Sequence, residues 1–119
     1  AAAAANHLAS FEPYFQTLLD YLPAARHFAK LSAPGCHGAL HFPVHILPSG
    51  VTSGSGGDMG QKQTGLFAVV PFIMYWRFTR SLDFARRVWP LLQGIAVFWE
   101  CSLHLGEDGK LHDAVDCAE

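Results

Sequence analysis

The sequence predicts an all-α fold of three helices with one long loop. Three observations predict it. Apolar residues near the N-terminus recur three and four apart. A strongly apolar stretch and an amphipathic one meet at Arg80–Leu82 as a tight helical hairpin. Between these two regions, residues 32–62 are rich in Gly and Pro and show no periodicity.

The first helix carries Leu8, Phe11, Phe15, Leu18, Leu22, Ala25 and Ala29 on one face. Ser10 is placed to cap it and Pro13 to sit in its first turn, where a missing N–H costs nothing. Pro23 should kink or restart the helix near Asp20, and Pro34-Gly35 ends it. The loop that follows holds Gly50, Gly54, Gly56, Gly57 and Gly60, with a short strand expected at Ala39–Ile46. Loops of this length in a compact protein usually carry function. The second helix runs from about Lys62 to Thr79, apolar nearly all round through Phe67, Val70, Phe72, Ile73, Met74 and Trp76. It should be buried on most sides, yet three helices do not close a core and would leave it exposed on at least one side. Ser81 caps the third helix, with Asp83 in its first turn and Phe84, Val88, Leu91, Ile95, Phe98 and Ser102 along one face. Pro90 bends it. Gly106–Gly109 is a turn and Leu111–Val115 a short extended stretch.

Composition narrows the function. The 119 residues support one modest domain, and half of them are apolar. Only 15% are charged, below the ~25% usual for soluble domains, which suggests part of something larger. Eight basic residues against ten acidic ones leave no stripe for nucleic acid and no basic face for an anionic membrane. The longest apolar run, Leu66–Trp76, spans 11 residues and contains Pro71, about half a membrane crossing. No signal peptide is visible. Ala1–Ala5 is a candidate placeholder run, and both ends read as cut.

Cys36, Cys101 and Cys117 form no disulfide framework and no CxxC pair. Cys101–Cys117 is the most plausible single bridge, since the two flank one turn; three free thiols are the alternative. His37, His41 and His45 are spaced by four next to Cys36, but Gly38 and Pro43 break any helix there. On a strand they would share one side roughly 13 Å apart per step, too far for one ion, so no metal is assigned. No cofactor motif occurs, and Gly54-Ser55-Gly56-Gly57 lacks the Lys of a phosphate cradle. Aromatic residues are many for so few charges, as in sites that hold sugar rings, although helix packing uses them too. Asp113, Asp116 and Glu119, with His112, form a carboxylate cluster of the kind glycoside hydrolysis needs, and equally one that solvent simply surrounds.

Several segments together resemble six-hairpin glycosidases. Asn6-His7-Leu8 with Glu12-Pro13-Tyr14-Phe15 is similar to the "N-x-x-E-x-x-x-P-x-F" helix of glycoside hydrolase family 95. Leu22-Pro23-Ala24-Ala25-Arg26 before Gly35-Cys36-His37-Gly38 is similar to that family's "A-x-x-x-x-G-x-x-G" step into a substrate loop. Tyr75-Trp76-Arg77-Phe78-Thr79, Asp83-Phe84, Trp89-Pro90-Leu91-Leu92 and Phe98-Trp99-Glu100 follow its hairpin pattern, and Glu107-Asp108-Gly109-Lys110-Leu111 resembles its "x-D-G-x-L" turn. The hairpin pattern alone is shared with family 65 phosphorylases and glucosidases.

The resemblance implies that residues 1–119 are a fragment of a six-hairpin domain, a partial (α/α) toroid whose twelve helices need on the order of 250 residues or more. By spacing it makes Glu119 the general acid of an inverting hydrolysis, with no cofactor. The family's water-activating Asn motif would fall upstream of Asn6, and its Asp partner beyond Glu119. In this reading His37, His41, His45, Asp58 and Trp76 line the cleft, and the partners are a carbohydrate and the remainder of a larger chain or assembly. The expected location is extracellular or in the secretory pathway. The sequence departs from the family where His-His-Asn is replaced by His41-Phe42-Pro43-Val44-His45, and where "S-P-E" is replaced by Asp116-Cys117-Ala118-Glu119. Fucose specificity therefore does not carry over. The competing expectations are an inactive glycosidase-like module with a structural or carbohydrate-binding role, and a plain helical interaction fragment.

Overall fold

A computed structural model describes residues 8–43 and 62–113, and these are mostly helical. One 3-10 turn, Leu8–Phe11, leads into α1 (Glu12–Asp20) and α2 (Leu22–Ser32). Ser10 does not cap α1. It lies within the 3-10 turn, and the cap position falls to Phe11 with no side-chain hydrogen bond. Pro13 occupies the first turn of α1, as expected. Pro23 restarts the helix within one residue: Tyr21 closes α1 and Pro23 falls in the first turn of α2.

The single helix expected from Lys62 to Thr79 is two: α3 (Thr64–Ala68) and α4 (Val70–Thr79). Pro71 has no N–H to bond the carbonyl of Phe67, so the spiral breaks at Val69 and Pro71 enters the first turn of α4. α5 (Leu82–Ser102) is the longest helix. The Phe84 N–H donates to Ser81 Oγ at 3.2 Å, which fixes its start where the sequence places it. Its buried face is Phe84, Val88, Leu91, Gly94, Ile95 and Phe98. β1 (Leu103–Leu105) and β2 (Leu111–Asp113) then pair antiparallel, with His104 opposite His112, around a turn in which Gly109 takes a φ of +76°.

The core forms where α1 meets α4 and α5. Phe15 lies 4.6 Å from Phe72, 4.9 Å from Phe84 and 5.1 Å from Tyr75, ring centre to ring centre. Tyr14 Oη donates to the Ala68 carbonyl at 2.6 Å, and Arg87 on α5 joins Glu12 at 2.6 Å and Gln16 at 2.7 Å. The guanidinium of Arg87 holds the Glu12 carboxyl below its ordinary range.

α4 is not buried on most sides. Phe72 is enclosed, whereas Leu66, Phe67, Val70, Ile73, Phe78, Leu82 and Trp89 form an exposed apolar face along α3, α4 and the start of α5. The open side expected of the second helix is therefore present among the described residues.

Residues 39–43 are no strand. Their backbone is taken by helices instead: Leu40 N–H donates to Gly94 O at 2.9 Å and His41 N–H to Ala25 O at 3.1 Å. The segment is wedged between α2 and α5. The same closure corrects the cysteine pairing. The disulfide joins Cys36 to Cys101, with Cα atoms 6.1 Å apart, and not Cys101 to Cys117. Proximity along the chain favoured the turn-flanking pair, but the loop docks on the last turns of α5 and brings Cys36 there. Cys117 lies outside the described residues.

Candidate functional site

The loop after α2 builds a concave region around the glycine-rich step singled out from the sequence. Gly35 and Gly38 adopt φ of +83° and +84°, left-handed values that side-chain-bearing residues resist, and they flank Cys36 and His37. Four ties hold this loop: the disulfide, the Leu40 and His41 backbone bonds, and a 2.7 Å hydrogen bond between Ser32 Oγ and His41 Nδ1.

Two adjoining hollows open beside it and share Arg26, His37 and Gly38. One, of about 350 Å³, is bounded further by Lys30, Pro34 and Gly35. The other, of about 340 Å³, reaches α5 at Pro90, Gln93, Gly94 and Val97. Together they make a groove between α2, the loop and α5. Arg26 and Lys30 stand one turn apart on the solvent side of α2, opposite buried Ala25, Phe28 and Ala29.

Of the sequence-derived cleft residues, His37 is exposed and lines both hollows. His41 does not line a cleft. It is 1% exposed, its ring stacked on Phe98 at 4.8 Å and bonded to Ser32, because the segment lies between two helices and is buried along its whole length from Ala39 to Pro43. Trp76 is half-buried in a different place, an apolar groove on α4 and α5 with Phe72, Ile73, Leu82, Val88 and Trp89. The Arg80 guanidinium lies 4.3 Å over its ring. That groove shares no lining residue with the two hollows. His45, Asp58 and Glu119 lie outside the described residues, as does Asp116.

The rest of the carboxylate cluster is engaged. Asp113 forms an ion pair with Lys62, both half-buried. His112 Nε2 lies 2.9 Å from Asp108 Oδ1, and this bond, with the Lys110 N–H, keeps the exposed Asp108 carboxyl below its ordinary range. Among the described residues no group of three or more His, Cys, Asp or Glu could hold a metal, and no helix is long and apolar enough to cross a membrane.

The sequence reading missed Arg26, Lys30 and Gln93 as site residues. The signal was available in part: Arg26 and Lys30 are four apart on a helix whose opposite face is apolar, but such a pair also describes any solvated helix. Gln93 carried no signal.

Gly94 sets the groove's depth. A Cβ there would fall 2.3 Å from Leu40 Cδ1 and 3.1 Å from Leu40 Cβ. Gly94→Ala is therefore expected to destabilise by about 1–3 kcal/mol through overpacking, against the ~0.5–1 kcal/mol that alanine ordinarily gains in a helix. Urea unfolding checks it, and a stabilised variant would refute the close approach. Compared with family models, curated proteins and solved structures, the chain matches none.

Proposed function

We propose that this chain is part of a glycoside hydrolase domain built from helical hairpins in a toroid, with Glu119 protonating the departing glycosidic oxygen. Water attacks the opposite face of the sugar and the anomeric centre inverts. The observation that carries the reading is the Lys62–Asp113 ion pair. It ties the start of α3 to the end of β2, and so joins two stretches at their described ends. Asp58 precedes Lys62 by four residues and Glu119 follows Asp113 by six. The exposed apolar face of α3–α5 adds support, since the next hairpin of a toroid would cover such a face. The Cys36–Cys101 disulfide suits a protein of the secretory pathway or cell exterior.

That exposed face also favours a second reading, a glycosidase-like module without catalysis that binds carbohydrate or builds a larger assembly. The two separate on Glu119→Gln in the intact protein. For a general acid, hydrolysis of sugar and alkyl glycosides should fall about 10²–10⁴-fold. A dinitrophenyl glycoside, whose leaving group needs no proton, should lose far less. Equal losses on both substrates would remove Glu119 from the acid role. Oligosaccharide binding with no turnover by the unaltered protein would establish the second reading.

A further inference from the structure

The groove between α2, the glycine loop and α5 gathers two cations and a histidine, with no carboxylate among its described lining residues. Arg26, Lys30 and His37 meet there, all exposed. Among the described residues no ion pair or side-chain hydrogen bond engages any of the three. Three other cations are paired with carboxylates, Arg86 with Asp83, Arg87 with Glu12 and Lys62 with Asp113, and Arg80 lies over the Trp76 ring. The backbone adds donors. No backbone carbonyl among the described residues accepts the N–H of Gly35, His37 or Gly38. Left-handed residues such as Gly35 and Gly38 are the kind from which anion-holding backbone concavities are made. The loop's four ties mean that little ordering entropy remains to be lost on binding.

We propose that this groove binds the acidic group of a charged carbohydrate, a uronate carboxylate or a sulfate ester. Arg26 and Lys30 balance the charge, His37 and the loop N–H groups donate hydrogen bonds, and Gln93 in the adjoining hollow meets a sugar hydroxyl. The anion part stands on the groove itself; the sugar part rests on the carbohydrate reading above.

Calorimetric titration of the intact protein tests it with four probes: a galacturonate trimer, a sulfated galactose trimer, a neutral galactose trimer and inorganic sulfate. An acidic trimer is expected to bind about tenfold or more tightly than the neutral one. R26Q/K30Q should lose that advantage, H37Q should lose part of it, and R26K/K30R should keep most of it. Added salt should weaken the acidic trimer selectively. Both positions are exposed on α2 and glutamine sustains a helix, so the variants should fold; R26Q and K30Q singly carry the same test if the pair does not. Equal binding of acidic and neutral trimers, or acidic binding unchanged in R26Q/K30Q, overturns the inference. Continued hydrolysis of neutral glycosides would then leave the hydrolase reading standing. Sulfate binding that R26Q/K30Q abolishes, with no trimer bound, would overturn the inference and count against the carbohydrate reading as well.

Discussion

Phe15→Ala is expected to lower the free energy of unfolding by about 3–5 kcal/mol. Phe15 is 0% exposed, and its ring is surrounded by Phe11, Phe72, Tyr75 and Phe84. Those rings come from the 3-10 turn, α4 and α5, so one side chain joins α1 to the whole hairpin. Truncation removes the transfer free energy of the ring and leaves a cavity walled by aromatic planes, which collapse poorly. It also forfeits aromatic pair terms of about 0.5–1.5 kcal/mol each. Phe15→Leu keeps most of the volume and should cost well under half as much. Phe67→Ala, at a position 72% exposed on α3, should stay within about 0.5 kcal/mol of the unaltered protein. Urea titration reads all three, with the slope unchanged in each. A cost below about 1 kcal/mol for Phe15→Ala would mean that α1 is not packed on α4 and α5.

The helices were legible because burial on one face leaves a three-and-four spacing, and Phe15, Leu18, Ala25 and Ala29 are buried where that spacing puts them. Ser81 was legible for the same local reason: a cap satisfies N–H groups only three residues away. Ser10 failed because the chain enters α1 already coiled in a 3-10 turn, which leaves no open cap position at Ser10. The break at Val69 was written in Pro71, yet the unbroken apolar run around it concealed the division. Tertiary closure was not legible. Whether Cys36 or Cys117 meets Cys101 depends on how closely Leu40 approaches Gly94, and whether His41 faces solvent or core depends on the same contact. Of the candidate site, the Gly35–Gly38 step marked the loop on which His37 lines both hollows. Arg26 and Lys30 became site residues only through the fold of that loop over α2.

Breaking the Cys36–Cys101 disulfide is expected to destabilise the protein by about 2–4 kcal/mol, a fall in Tm of about 10–20 °C for a domain of this size. The two cysteines are 65 residues apart, so the bond removes a large loop's freedom from the unfolded chain. It also fixes the glycine loop to the last turn of α5, which the backbone bonds of Leu40 and His41 hold only further along. Two effects should therefore separate. C36S/C101S should lose global stability, and the groove should lose affinity even at temperatures where the protein stays folded, since the loop then has freedom to surrender on binding. Gly94→Ala provides the comparison, as it disturbs the loop while leaving the covalent tie intact. Thermal unfolding with and without reductant measures the first effect, and titration of C36S/C101S measures the second. Non-reducing peptide mapping settles the pairing on which both depend. A peptide linking Cys101 to Cys117 would refute the docking of the loop on α5, and with it the groove that Arg26, Lys30 and His37 share.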